Sequence, residues 1–236
     1  MGFGPLFGFG LDWNLFSSEN VCHMSHMRLK GEPLEVVDEV KLLGVVINQD
    51  LKWDSNTNYL IQKANKKMRM LHMAAKFTRN REHLIQIYKT FIKSCLEFSS
   101  NVWHSSLTKE NREDLERVQK AALKVILRNE YNDYEDALKK SGLLSLEERR
   151  EVIGLRFVKN SLKNANFSKL FPLKEYKHVM NVRNPQKYHV IKANTERYRR
   201  STIPFLQRML NREYLKRKSE FLQLQNDIEP KRRRIG

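Results

Sequence analysis

Two spacings of apolar side chains divide the sequence. Up to about residue 52 they come in short clusters broken by turn residues: Val21-Cys22-His23-Met24-Ser25-His26, the turn dipeptides Lys30-Gly31 and Glu32-Pro33, an alternation from Leu34 to Val40, and the run Leu42-Leu43-Gly44-Val45-Val46-Ile47. Such clusters predict two or three short strands in a small antiparallel sheet. From residue 54 onward the spacing lengthens to three or four, as in helices with one buried face. Asp54, Ser55 or Asn56 can cap a first helix with Ile61, Ala64, Met68, Leu71 and Ala75 inward. A second follows Asn80, with Leu84, Ile87, Tyr88, Phe91, Ile92, Cys95 and Leu96 inward. A third runs from about Thr108 to Arg128, with Leu115, Val118, Ala122, Val125 and Ile126 in register. A short helix opens at Asp133 and stops at Gly142, a residue suited to the left-handed position past a helix end. Ser145 and Glu148 form a capping box for the next, which carries Val152, Leu155 and Val158. Residues 164–200 read as irregular, and a last helix starts at Ser201 or Thr202, ahead of Pro204, and continues past Leu222.

The fold class expected from this pattern is mainly α with a small N-terminal antiparallel β element (α+β), a body of five or six helices. The expected segments are a disordered or adventitious leader over 1–19, a β-hairpin element over 20–53, a helical domain over 54–163, a basic region with a final helix over 164–225, and a basic tail over 226–236.

Charge changes the picture. The 236 residues carry 44 Lys and Arg against 27 Asp and Glu, a formal net charge of +17. Residues 1–60 hold four basic and eight acidic side chains, which leaves +21 on the other 176. With 40% apolar and 10% aromatic residues the chain can build a core, so the excess charge belongs to a folded body. Such a body meets a polyanion, either nucleic acid or an anionic membrane surface. Here the basic residues are spread over several predicted helices and interleaved with aromatics, which favours nucleic acid over a membrane-surface helix. No stretch approaches the roughly 18 uninterrupted apolar residues of a membrane span. Two cysteines, Cys22 and Cys95, make no disulfide framework and fit a reducing compartment rather than secretion.

Catalytic chemistry is thin. Cys22, His23 and His26 lack the second ligand pair that a zinc site needs. Cys95 has apolar neighbours at helical spacing and reads as a small core residue. Asp38 and Glu39 are adjacent in an alternating strand, so their side chains point to opposite faces. The glycines at 2, 4, 8 and 10 do not make a phosphate loop. No catalytic or metal-binding residue is assigned.

The segment from Val40 through Leu42-Leu43-Gly44-Val45-Val46-Ile47 to Leu51-Lys52-Trp53 resembles the strand-turn-strand element after the catalytic palm in reverse transcriptases of non-LTR retrotransposons. Ile61 to Leu71 is similar to the basic helix that opens the thumb in that family. Ile87 to Ile92, Leu96 to Ser100 and Val102-Trp103 look like its second helix and Trp-bearing turn, and Leu115 to Leu123 like its third. Leu144 to Arg150 and Arg197 to Asn211 are similar to the elements that close such a reading frame. The likeness spans residues 20 to about 212, with Leu42 standing where the family usually has Tyr or Phe.

The resemblance implies a thumb-like helical bundle that follows RNA, DNA or an RNA–DNA duplex along its backbone. Lys63, Lys66, Lys67 and Arg69 would meet phosphates, and Leu43, Gly44 and Val45 would form a primer-side hairpin. Gly44 serves equally for close approach to a primer or for a tight bend of its own chain. Trp53 and Trp103 read as core or hairpin anchors before base-stacking platforms. The family's paired aspartates, which hold two Mg²⁺ ions, do not occur here, so the chain is expected to be a truncated, non-catalytic copy without a cofactor of its own, with upstream polymerase domains as partners if the frame is longer. The alternatives are a host-recruited nuclear nucleic-acid-binding protein that keeps the fold but not the polymerase, and a helical protein-interaction bundle with no nucleic-acid role. Lys231, Arg232, Arg233 and Arg234 resemble a nuclear-import signal, or a basic tail that adheres to nucleic acid; a nuclear location is favoured over a cytoplasmic one.

Overall fold

Helix starts in this chain are fixed by side chains that reach free backbone amides. The Asn80 side chain accepts from the amides of Glu82 and His83 at 2.9 and 3.3 Å. Thr108 accepts from Asn111 at 3.1 Å and Asp133 from Asp136 at 2.8 Å. Ser145 and Glu148 form the expected reciprocal capping box. Gly142, at φ +62, ends its helix in the left-handed conformation as expected.

The computed structural model describes residues 28–29, 31–33, 36–174 and 186–216. The expected leader, the Cys22, His23 and His26 cluster, and the tail with Lys231 to Arg234 lie outside these residues. The chain divides into two compact units, Met1–Val40 and Lys41–Gly236. In the first, β1 (Arg28–Leu29) and β2 (Glu32–Pro33) pair antiparallel. The boundary falls inside β3 (Glu39–Leu42), which pairs with β4 (Val45–Asn48) in a second two-stranded sheet. A two-residue connection can only join antiparallel neighbours. The β element expected as one small sheet is thus present as two separate ladders.

The second unit is helical: α1 (Asp54–Phe77), α2 (Arg81–Ile87), a π-helical stretch (Tyr88–Lys93) leading into α3 (Ser94–Leu96), α4 (Ser100–Trp103), α5 (Lys109–Leu127), α6 (Tyr134–Ser141), α7 (Leu146–Ser161), α8 (Ala165–Ser168), α9 (Glu196–Arg200) and α10 (202–216). The last two short helices, α8 and α9, stand in a region read as irregular; Asn164 and Thr195 cap them. The main core lies among α1, α2, α3 and α5, with Leu60, Leu71, Leu84, Ile92, Leu96, Leu115 and Leu123 fully buried. A smaller one joins Val158 of α7 and Phe171 to Leu206, Met209 and Leu210 of α10. Trp53 and Trp103 are both buried, as anchors should be.

Two expected core positions, Phe91 and Val152, are exposed, and four others, Ile61, Ile87, Val125 and Leu155, are only partly buried. The inner row of α1 runs through Leu60, with Ile61 only partly buried. Phe91 is 38% exposed, because the π-wound turn holds Tyr88 and Ile92 inward and leaves Phe91 outside. Val152 is 41% exposed, because the buried row of α7 is Leu146, Arg150, Gly154 and Val158.

That row brings an arginine into the interior. Arg150 is 1% exposed; its Nε donates to Nδ1 of His104 at 3.2 Å, and its guanidinium lies 5.7 Å from the Trp103 ring centroid. Burial, with the positive charges of Arg150 and Arg112 beside it, pushes the His104 pKa down to about 3. A neutral folded-state histidine binds fewer protons than its unfolded counterpart between pH 6.5 and 3, so its contribution is complete above the unfolded value and is lost as pH falls through that window. Urea unfolding at pH 7.5, 6.0 and 5.0 should show stability falling by at most about 1.4 kcal/mol per unit below pH 6 on this account. His104→Asn, which keeps an acceptor but cannot titrate, should remove that part of the slope.

Candidate nucleic-acid interface

Asp54 is the first residue of α1, and no acidic residue follows it in the helix. Its carboxylate accepts from Asn111 Nδ2 at 2.6 Å. The rest of the helix carries Lys63, Lys66, Lys67, Arg69, His72 and Lys76. Lys66, Lys67, Arg69 and Lys76 make no ion pair with any described residue, and neither does Arg79 just beyond the helix. Three carboxylates elsewhere in the unit are engaged: Glu97 with Arg149 at 3.2 Å, Glu147 with Arg112 at 3.0 Å, and Glu130 with Arg81.

The hairpin is tied to the start of α1. The Asn56 side chain accepts from the Val46 amide at 3.1 Å, and Asn48 Nδ2 donates to Ser55 Oγ at 3.0 Å. Lys41 Nζ donates to the Tyr59 hydroxyl at 2.9 Å and sits 4.3 Å from that ring's centroid. This hydrogen bond, reinforced by the charges of Lys41 and Lys63, lowers the Tyr59 phenol from its usual range. Lys63 Nζ lies 5.8 Å from both the Tyr59 and the Phe98 ring centroids. Lysines therefore sit over aromatic faces at one corner, which leaves their charged ends suited to phosphates.

Of the three expected hairpin residues, only one offers its side chain to a ligand. Leu43 is 90% exposed and holds φ +48; Gly44 follows at φ +86. Two positive φ values in a two-residue loop make the tight turn that suits a twisted hairpin. A Cβ on Gly44 would lie 3.1 Å from Cε1 of Phe98, so this glycine is needed by its own chain, for the bend and for the ring packed on it. Val45 is 6% exposed and belongs to the core.

The four expected phosphate contacts fall into two groups. Lys63 lies by Tyr59 and Phe98, and Lys66 and Lys67, three and four positions further on, share its side of the helix, with Lys67 half-buried beside the core row. Arg69 falls on another flank, in step with His72 and Lys76. Sequence reading missed Lys41, Tyr59 and Phe98 on the first flank, and Arg79 just beyond the far end of α1. The absence of any acidic residue after Asp54 was the signal that could have extended the patch.

Other candidates resolve simply. Cys95 is buried, its thiol donating to the Phe91 carbonyl at 3.3 Å. Among the described residues no group of three His, Cys, Asp or Glu side chains could hold a metal ion, and no helix is long and apolar enough to cross a membrane. In comparisons with known proteins, no family model, curated protein or solved structure matches the chain.

Proposed function

We propose that this chain is the thumb-bearing, non-catalytic C-terminal portion of a non-LTR retrotransposon RNA-directed DNA polymerase, and that it binds primer–template nucleic acid through the sugar-phosphate backbone. The observation that carries the binding reading is the cation-bearing outer surface of α1, free of acidic residues after Asp54, beside the lysine and aromatic corner at the hairpin. Backbone contacts of this kind fix register on a duplex and read no sequence. Catalysis and Mg²⁺ belong to upstream domains of a longer polymerase, and the basic tail at 231–234 directs the chain to the nucleus. The family assignment rests on the resemblance of the hairpin and helix segments.

Filter binding to a DNA duplex and to an RNA–DNA duplex across a salt series tests this. The logarithm of affinity should fall linearly with the logarithm of salt, with a slope near −0.9 for each phosphate neutralised on duplex DNA. Absent or salt-independent binding would leave a helical protein-interaction bundle as the better description.

A further inference from the structure

The far end of α1 holds a second cluster. His72, Lys76, Phe77, Arg79 and Arg128 line an open concavity between the C-terminal ends of α1 and α5. Phe77 is 84% exposed there, the most exposed aromatic side chain among the described large hydrophobics. Met73 and Met70, at 53% and 47% exposure, precede it by four and seven positions and continue an apolar stripe along the helix. A helix C-terminus ordinarily repels anions, because its carbonyls point outward. Here the Arg128 guanidinium donates to the carbonyls of Ala75 and Thr78, which offsets that charge.

We infer that this concavity binds a single-stranded nucleic-acid extension, with one base stacked on Phe77 and its flanking phosphates held by Lys76 and Arg79. The inference rests on the nucleic-acid reading above and adds the strand form and the place. Charge decides the occupant, since the side chains flanking the apolar stripe are cationic and α1 has no carboxylate after Asp54 for a basic or mixed protein surface to pair with. An aromatic face set among unpaired cations is the combination that holds unstacked bases without reading their identity. Spacing fits as well: Lys63 and Phe77 are fourteen residues apart, about 21 Å along a helix at 1.5 Å per residue, or roughly six steps of duplex. A duplex held near Lys63 would reach its end and release a strand near Phe77.

The test compares a blunt DNA hairpin with the same hairpin carrying a six-nucleotide tail that contains 2-aminopurine, using anisotropy for affinity and 2-aminopurine quenching for stacking. The wild-type chain should bind the tailed form about tenfold more tightly and quench the probe. Phe77→Ala and Phe77→Leu should both lose the preference and the quenching while keeping blunt-hairpin affinity; at 84% exposure this ring can be removed without disturbing the core. Equal affinity of the wild type for the two forms, or a preference that survives Phe77→Ala, overturns the inference and leaves the duplex reading standing. Tail binding with no affinity for the blunt form overturns the duplex reading alone; binding to neither overturns both. A wild-type dimer in sedimentation that Phe77→Ala abolishes would assign the stripe to a second copy and overturn the inference.

Discussion

Replacing Lys63, Lys66 and Lys67 together with alanine is expected to weaken duplex binding by about 10²- to 10³-fold at 0.1 M salt and to flatten the salt slope by about 1.8 to 2.7. The arithmetic follows from counterion release, in which each neutralised phosphate contributes about 0.9 to the slope and hence roughly eightfold in affinity for every tenfold dilution of salt. The lower bound applies if Lys67, half-buried on the flank of the core row, makes no contact of its own. On the proposed backbone contacts, the loss should be uniform across sequences. A control that removes the same charge from exposed Lys109, Lys139 and Lys169 separates local contact from general attraction. Equal loss in the two triple variants would show that only the net charge of +17 matters and would remove the assignment to α1.

Trp103→Ala should be the most damaging single change to the fold, costing about 3 to 5 kcal/mol. The ring is 0% exposed, its Nε1 donates to the Phe98 carbonyl at 3.0 Å, and the Arg150 guanidinium lies 5.7 Å from its centroid. Truncation opens a cavity, strands a carbonyl, and takes the aromatic face from a buried cation. In a chain of this size the thermal midpoint should fall by roughly 10 °C, followed by circular dichroism at helix wavelengths. Trp103→Phe keeps most of the packing and loses only the donor, so about 1 kcal/mol is expected. A cost below that for Trp103→Ala would mean that the ring does not organise the junction of α4 and α7.

Local chemistry made much of this fold legible. Asn80, Thr108, Asp133 and Ser145 start helices where their side chains say they should, since a cap needs only amides two or three residues away. The start of α1 shows where local reading stops. Asp54, Ser55 and Asn56 are all competent caps, yet the residue at the cap position is Trp53, with no side-chain bond. Each of the three is occupied at long range instead, by Asn111, Asn48 and the Val46 amide. Arg150 is a second instance. On sequence grounds an arginine in Glu147-Glu148-Arg149-Arg150-Glu151 belongs to a solvated face, and only the packing of α4 against α7 turns it inward. At the interface, the basic character of α1 was plain from sequence, whereas its separation into two flanks depended on which row of apolar residues is buried. The role of Gly44 depended on Phe98, fifty-four residues away, which no local pattern reports.

The connection Leu51-Lys52-Trp53 has the length of a hinge and behaves as a weld. Val45 lies in the helical core, Asn56 and Ser55 reach back to β4, and Lys41 is bonded to Tyr59. The tip at Leu43 is therefore held in a fixed orientation to the first turns of α1, whose inner row is buried in the core. Whatever seats the hairpin also sets the angle at which Lys63, Lys66 and Lys67 would approach a strand.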